Sequence, residues 1–509
     1  MKFKSSNMLW PKRIFAILSS SPFFWVIVGL LIFQAVWIAV TGLYPMAFDE
    51  NFHLGIIKLY AQHPSPFWSS QPEAANNFGA VYRDPSYLYH FLMSFPYRLI
   101  CHFTANQTAQ VLWLRTINIG LFTSGLILFR KVLQSTGVSR ALINGCFLVF
   151  VLIPVIPLVA AQINYDNLLF PLTAVVLWLT LDIMYRLKTS KTLPISQILA
   201  LGSITLLTSL VKYAFLPISM TVFIYLSVRL KQTYTSRYKL KLALRQAWSK
   251  SHKVHTGLLI AGLLLSVGLF SQRYVVNTVL YHTPIPDCSK VLDVEACSDY
   301  GPWIRDHTLN TVKSGASISP VLFTGEWSYG MWLRLFFAVD GPATQNQTRG
   351  PLLLPAITSI VVAVFGIVLM AVYIPRVLRG NNSEPILFLT VISTVYIGVL
   401  WIDQYRAFLR TGQPVAINGR YLLPVLLPLL LLMSLAYGQW LKGHIEMKMI
   451  LAIVIIIGLA CGGGALTYIL RSNNDWYWPN SHVRAVNQSV QNYLGPIVPG
   501  NYYQGQFVF

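Results

Sequence analysis

Charge is what this chain has least of. Only 11% of its 509 residues are Asp, Glu, Lys or Arg, and the acids number just 17. A soluble globular protein carries about a quarter of its residues charged, so a fully water-facing surface is excluded. The 55% hydrophobic content describes a polytopic membrane protein instead. Cysteine is scarce as well, with five in all. Cys101, Cys146 and Cys461 fall in apolar stretches and read as packing residues. Four Cys/His ligands are not assembled in the 281–350 loop that holds Cys288 and Cys297, which argues against a zinc site there. Internal repeats and low-complexity tracts are also missing.

What the chain does have is long apolar runs. Eleven segments of about 20 residues, the length that crosses a bilayer, fall near 22–43, 108–129, 141–161, 166–185, 195–211, 213–230, 255–280, 351–375, 385–402, 420–440 and 449–470. Lys2, Lys4, Lys12 and Arg13 precede the first, and no small-residue cleavage site follows it. It reads as an uncleaved signal-anchor with residues 1–21 in the cytoplasm. Residues 86–103 are expected to form an external amphipathic helix, because counting them as a span would place the basic turn 130–140 outside. With this topology 22 of the 38 basic residues, but only Asp182, Glu384 and Glu446 among the acids, face the cytoplasm. The net charge of +21 is then a positive-inside signal and calls for no nucleic acid. The expected organisation is a transmembrane domain over 22–470, external loops at 44–107 and 281–350, and an external aromatic tail at 471–509. The cytoplasmic loop 229–254 fits an amphipathic surface helix.

Cys288 and Cys297 share the second external loop, where an oxidising compartment would allow a disulfide. In the tail, Trp476, Tyr477, Trp478, Tyr502 and Tyr503 suit a membrane interface or packing better than sugar stacking.

The candidate chemistry lies at the outer ends of the spans. In "LYPMAFDENFHLGIIKLY" (43–60), Asp49, Glu50 and His53 follow the first span closely. A short helix restarts there, with Asp49 and His53 at i and i+4 on one face. Helix capping by Asp49 is the structural alternative. "AQINYDNLLF" (161–170) places Asp166 at another outer turn, and "LVKYAFLP" (210–217) places Lys212 at a third. "INGRYLLPVLLP" (417–428) puts Arg420, with Tyr421 beside it, at the outer start of a span. Arg115 lies about two turns into its helix from the same side. Any one of these could be a snorkelling anchor. Several of both signs on one face describe a cavity, because charge at the membrane edge is costly without a partner. Arg and Lys hold phosphate oxygens, and a carboxylate can take a proton from an attacking hydroxyl.

These stretches resemble the GT-C glycosyltransferases, polytopic enzymes that use polyprenyl-phosphate sugars, such as protein O-mannosyltransferases and the aminoarabinose transferase of lipid A. "FDENFH" is similar to the acidic pair after the family's first span. "RDPSYLYHFLMSFPYRL" (83–99) is similar to its Pro-aromatic stretch, with Asp84-Pro85-Ser86 in place of paired prolines. "NGRYLLPVLLP" is similar to a late Gly-Arg-aromatic-Pro stretch, and "INYDN" to a second acidic site. The resemblance implies an all-α, GT-C-like bundle of about eleven spans in a bacterial plasma or inner membrane, in service of the cell envelope, with the site on the extracytoplasmic side. It implies Asp49 as general base, Glu50 orienting it or a metal, and Asp166 near the donor or a metal. It implies Arg420 on the donor phosphate; Lys212, Arg115 and His53 join from topology alone. Mg²⁺ or Mn²⁺ on Asp49, Glu50 and Asp166 is open, because Arg and Lys could neutralise the phosphate unaided. The implied partners are a polyprenyl-phosphate sugar, the bilayer and an acceptor hydroxyl, and single displacement would invert the anomeric carbon. The alternative is a transporter or flippase of a lipid-linked saccharide, which should carry charges near the bilayer midplane. A non-catalytic assembly protein is a third reading, and it leaves the acid and base cluster without a role.

Overall fold

A computed structural model describes residues 9–47, 49–190, 192–312, 318–336, 352–380 and 383–499. Most of those residues are helical, with one isolated bridge between Gly42 and Tyr477 as their only β pairing. Nine described helices are long and apolar enough to cross a membrane: Ser21–Thr41, Gln107–Gln134, Asp166–Thr189, Tyr213–Thr233, Lys253–Tyr281, Leu353–Val377, Ser383–Thr411, Gly419–Trp440 and Ile445–Arg471. The other two expected spans are shorter apolar helices, Arg140–Val151 and Ile195–Val211. The chain is thus an all-α integral membrane protein.

Two expected spans are broken, and the breaks meet. The 141–161 segment is not one helix: it stops at Val151 and resumes as Val155–Ala160. Pro154 and Pro157 supply no N–H, and a proline ring clashes with the preceding helical turn. The last span stops at Ala460 and resumes at Ala465 after a run of glycines. A break inside a bilayer strands backbone polar groups. Here Gly464 N donates to Leu152 O at 2.7 Å, joining one break to the other. Gln34, buried on the first span, donates to Val151 O at 3.5 Å and accepts from Ala465 N at 2.7 Å.

The Gln107–Gln134 and Asp166–Thr189 helices pack closely at the centre. Gly125 permits this, since an added Cβ would stand 2.4 Å from the Phe170 ring; small residues play this part where helices cross in membranes. Phe122, Phe129 and Phe150 stack on Phe170 around that crossing.

Residues 88–103 form a helix that lies on the Glu50–Ala61 helix and is not among the candidate spans. Arg98 links the two by donating to the carbonyls of Tyr60, Ala61 and His63, capping the shorter helix where its carbonyls lack partners. The second loop adds the Pro320–Phe336 helix over the 3₁₀ turn Gly419–Leu422. Gly419 lies under it with no room for a Cβ, which would come within 2.4 Å of Met331 O. Cys288 and Cys297 are bonded, with Cα atoms 5.8 Å apart. In the tail, Leu43 N donates to Trp476 O and Trp478 N to Thr41 O, which buries Trp476 and Tyr477 against the first span. Tyr502 and Tyr503 lie outside the described residues. The Arg237–Lys250 helix in the basic loop has no buried residue.

Candidate functional site

Asp49, Glu50, His53, Asp166, Lys212, Arg420 and Tyr421 come from four separate stretches and gather at one end of the bundle. Asp49 immediately precedes the Glu50–Ala61 helix but makes no side-chain cap bond, and its φ of 68° is left-handed. An N-cap residue is ordinarily extended and bonds back to the helix. The capping alternative therefore does not describe this side chain. Asp49 instead accepts a 3.0 Å bond from Arg420 Nη2 and stays 65% exposed while Arg420 is 3% exposed. A left-handed non-glycine costs of order 1–3 kcal/mol, which surrounding structure must hold in place, and such residues cluster at functional sites.

Arg420 is positioned by its own turn. Asn418 caps it by accepting from Arg420 N at 3.1 Å. Lys212 lies at the break between the Ile195–Val211 helix and the 3₁₀ turn that follows. Its ammonium donates to Asp166 Oδ1 at 2.8 Å and stands 4.4 Å over the Tyr165 ring and 4.7 Å over that of Tyr421. Both partners are buried, and the aromatic faces add cation–π attraction to the ion pair. Asp166 Oδ2 has no hydrogen-bond partner. A buried carboxylate oxygen without a donor is uncommon and leaves one acceptor available.

Glu50 and Arg115 form a closed unit. Arg115 Nε and Nη2 donate to the two Glu50 oxygens at 2.8 and 2.7 Å. Arg115 Nη1 donates to Ala39 O and Gly42 O, while Glu50 also accepts from Met46 N and Ile163 N. Both side chains are fully buried. This pair ties the end of the first span to the second and fixes the turn that presents Asp49. Arg115, expected on a substrate, is spent on protein groups.

His53 is buried with its Nδ1 2.9 Å from His90 Nε2. The rings stack on each other, and Tyr165 meets His53 edge-on. Burial holds His53 well below the usual histidine range, with the facing His90, Arg420 and Lys212 acting the same way. Burial likewise pushes His90 down to about 3. The pair is therefore neutral, one ring donating and the other accepting. His90 is missed by the sequence reading because nothing in the sequence links it to His53, 37 positions away.

Arg273 is missed too, although a cation inside an apolar run is a visible signal. It sits in a π-helical turn, 271–275, of the Lys253–Tyr281 span. It donates to Tyr82 O and Pro66 O and lies over the Phe67 and Tyr87 rings. It fastens the 62–87 segment to the bundle.

The three acids do not share a centre. Each is paired with its own cation, and among the described residues no three His, Cys, Asp or Glu side chains are grouped to hold a metal. Glu50, with both oxygens on Arg115 and backbone amides, has none to offer an ion.

No protein-family model and no curated protein matches the chain. Two solved structures are similar to it. One is the crystal structure of ArnT from Cupriavidus metallidurans bound to undecaprenyl phosphate, at a TM-score of 0.43 and 14% identity, covering 95% of this chain and 72% of that one. The other is the archaeal oligosaccharyltransferase AglB from Archaeoglobus fulgidus, in complex with an inhibitory peptide and a dolichol-phosphate, at a TM-score of 0.45 and 11% identity. That match covers 95% of this chain, which spans 61% of AglB's length.

Proposed function

We propose that the protein is a membrane glycosyltransferase that moves a sugar from a polyprenyl-phosphate donor to an acceptor hydroxyl on the extracytoplasmic side. The observation that carries this reading is the pairing of an exposed, left-handed Asp49 carboxylate with the buried Arg420, beside the buried Lys212–Asp166 pair.

The donor phosphate takes the guanidinium of Arg420 and the ammonium of Lys212, which hold its oxygens by charge-assisted hydrogen bonds. Its tail remains in the bilayer. Asp166 Oδ2 is the acceptor for a hydroxyl of the donated sugar. Arg420 is then shared: phosphate oxygens compete with Asp49 for it, and donor binding loosens the carboxylate toward the incoming acceptor. The acceptor oxygen attacks the anomeric carbon, the bond from that carbon to the phosphate oxygen breaks, and the acceptor's proton passes to Asp49. Polyprenyl phosphate leaves on the two cations, and one in-line displacement inverts the configuration. Glu50 acts on this step only by fixing the turn that carries Asp49. The neutral His53–His90 pair adds no charge beside the cations. No step is assigned to a metal, because the acids are committed to separate cations. The Lys212–Asp166 and Arg420–Asp49 pairs lie where the spans meet the external loops, the placement that suits surface chemistry more than transport.

The test is binding of undecaprenyl phosphate to the purified protein in nanodiscs. Arg420→Ala should weaken it by roughly 10- to 150-fold, the worth of a hydrogen bond to a charged group. Lys212→Ala should weaken it in the same direction. Unchanged affinity in both stably folded variants would remove the phosphate site.

A further inference from the structure

The Arg237–Lys250 helix is tied closely to the membrane at both ends. Residues 234–236 alone separate it from the Tyr213–Thr233 span, and residues 251–252 from the Lys253–Tyr281 span. An extended chain reaches at most about 3.6 Å per residue, so the helix cannot rise far from the bilayer surface. Lys212 stands at the start of the Tyr213–Thr233 span, so the helix lies at the surface opposite that site, roughly 30 Å away. Between 229 and 253 the chain carries eight Lys and Arg and no Asp or Glu. Two of the eight are engaged: Arg229 pairs with Glu384, and Lys253 donates to Trp248 O at 2.6 Å. The other six meet no carboxylate among the described residues. Arg237, Lys241 and Arg245 are exposed and recur at i, i+4 and i+8, so three like charges share one face. That spacing works against a helix, and cations in its first turn oppose the macrodipole. An anion along the face removes both costs.

The same face is apolar as well as basic. Leu244 follows Lys241 by three residues and Trp248 follows Arg245 by three, which sets both beside the cations. Leu244 and Trp248 are exposed, whereas Ala243 and Ala247 on the neighbouring face pack against the bundle. The Lys253 ammonium lies 5.2 Å over the Trp248 ring. We propose that this face binds anionic phospholipids of the leaflet on which the helix lies, with Arg237, Lys241 and Arg245 on their phosphates and Leu244 and Trp248 in the acyl region just beneath. Basic side chains draw anionic lipid to a membrane surface, their stems lie along apolar surface with the charge kept outside, and Trp favours that level. A nucleic acid would answer the charge but leave Leu244 and Trp248 in water.

The experiment measures lipids retained by the full-length protein, by native mass spectrometry after detergent purification. Dioleoylphosphatidylglycerol and dioleoylphosphatidylcholine are offered at equal concentration. Wild type should retain the glycerol lipid in preference. Arg237→Gln/Lys241→Gln/Arg245→Gln keeps good helix formers at exposed positions. It should lower the glycerol-to-choline ratio about fivefold or more, fivefold being the worth of one basic residue near an anionic surface. Arg376→Gln/Arg379→Gln/Lys442→Gln removes the same charge elsewhere and should lower the ratio less. Leu244→Gln/Trp248→Gln leaves the charge intact and should still lower retention of the glycerol lipid. A short single-stranded RNA should not displace the retained lipid. Equal retention of the two lipids by wild type, equal loss in the two charge variants, undiminished retention by Leu244→Gln/Trp248→Gln, or displacement by the RNA would overturn the assignment.

Discussion

Asp49 and Glu50 are chain neighbours of the same charge, and each meets an arginine from a distant part of the chain. Their surroundings then diverge. Glu50 is fully buried, bidentate to Arg115, and held by two further backbone amides. Asp49 is mostly exposed, touches Arg420 through one oxygen, and sits in a backbone conformation that favours glycine. The difference separates structure from chemistry. A pair with every donor and acceptor satisfied by protein can only hold the fold. A pair with one open face can exchange its partner for a ligand.

Three experiments test that contrast. The largest expected effect on stability is from Glu50→Gln. It leaves Arg115 buried without its counter-charge, which costs about 3–5 kcal/mol. Asp49→Asn should cost under about 1 kcal/mol, as for an exposed pair. Thermal unfolding of the two variants side by side reads the difference, and equal melting temperatures would collapse the comparison.

Next comes the buried, neutral histidine pair beside the site. Both histidines titrate below the ordinary value in the folded protein, so acid favours the unfolded chain. Their contribution is complete above about pH 6.5 and declines as pH falls below it. By pH 5.5 both histidines favour the unfolded chain, which then binds more protons than the folded one. The shift in melting temperature between pH 7.5 and 5.5 should shrink in His53→Gln/His90→Gln. An unchanged shift would mean that the pair is charged or exposed.

The smallest effect is expected from Cys288→Ser with Cys297→Ser. The closed loop is short and its small cluster of Cys288, Cys297 and Trp303 is separate from the main core. Stability of the bundle should change little, while protease sensitivity near Trp303 rises. Global loss of folding would show that this loop supports the Asp49 end more than its packing indicates.

Much of this was legible in the sequence. Apolar runs locate the spans because only a helix satisfies its own backbone in lipid, and that rule needs no tertiary information. The position of Asp49 just past a span, and of Arg420 at the start of another, marks the candidate site by the cost of charge at the membrane edge. What the sequence could not show is which acid meets which base. Glu50 and Arg115 are 65 positions apart, and both look like ligand groups until their partners are known. The breaks at Pro154 and Gly462–Gly464 were individually visible, but their mutual satisfaction across Leu152 and Gly464 was not. Nor was the left-handed φ of Asp49, since nothing in "FDEN" requires it.

The central claim is that Asp49 accepts the proton and Arg420 holds the phosphate. The direct measurement is sugar transfer and undecaprenyl phosphate binding, made separately on Asp49→Asn. Asparagine keeps the size and the hydrogen bonding but does not readily take a proton. Transfer should fall roughly a hundred- to ten-thousand-fold, while binding stays the same or tightens because Arg420 loses a competing carboxylate. Near-normal transfer by a stably folded Asp49→Asn protein would contradict the account.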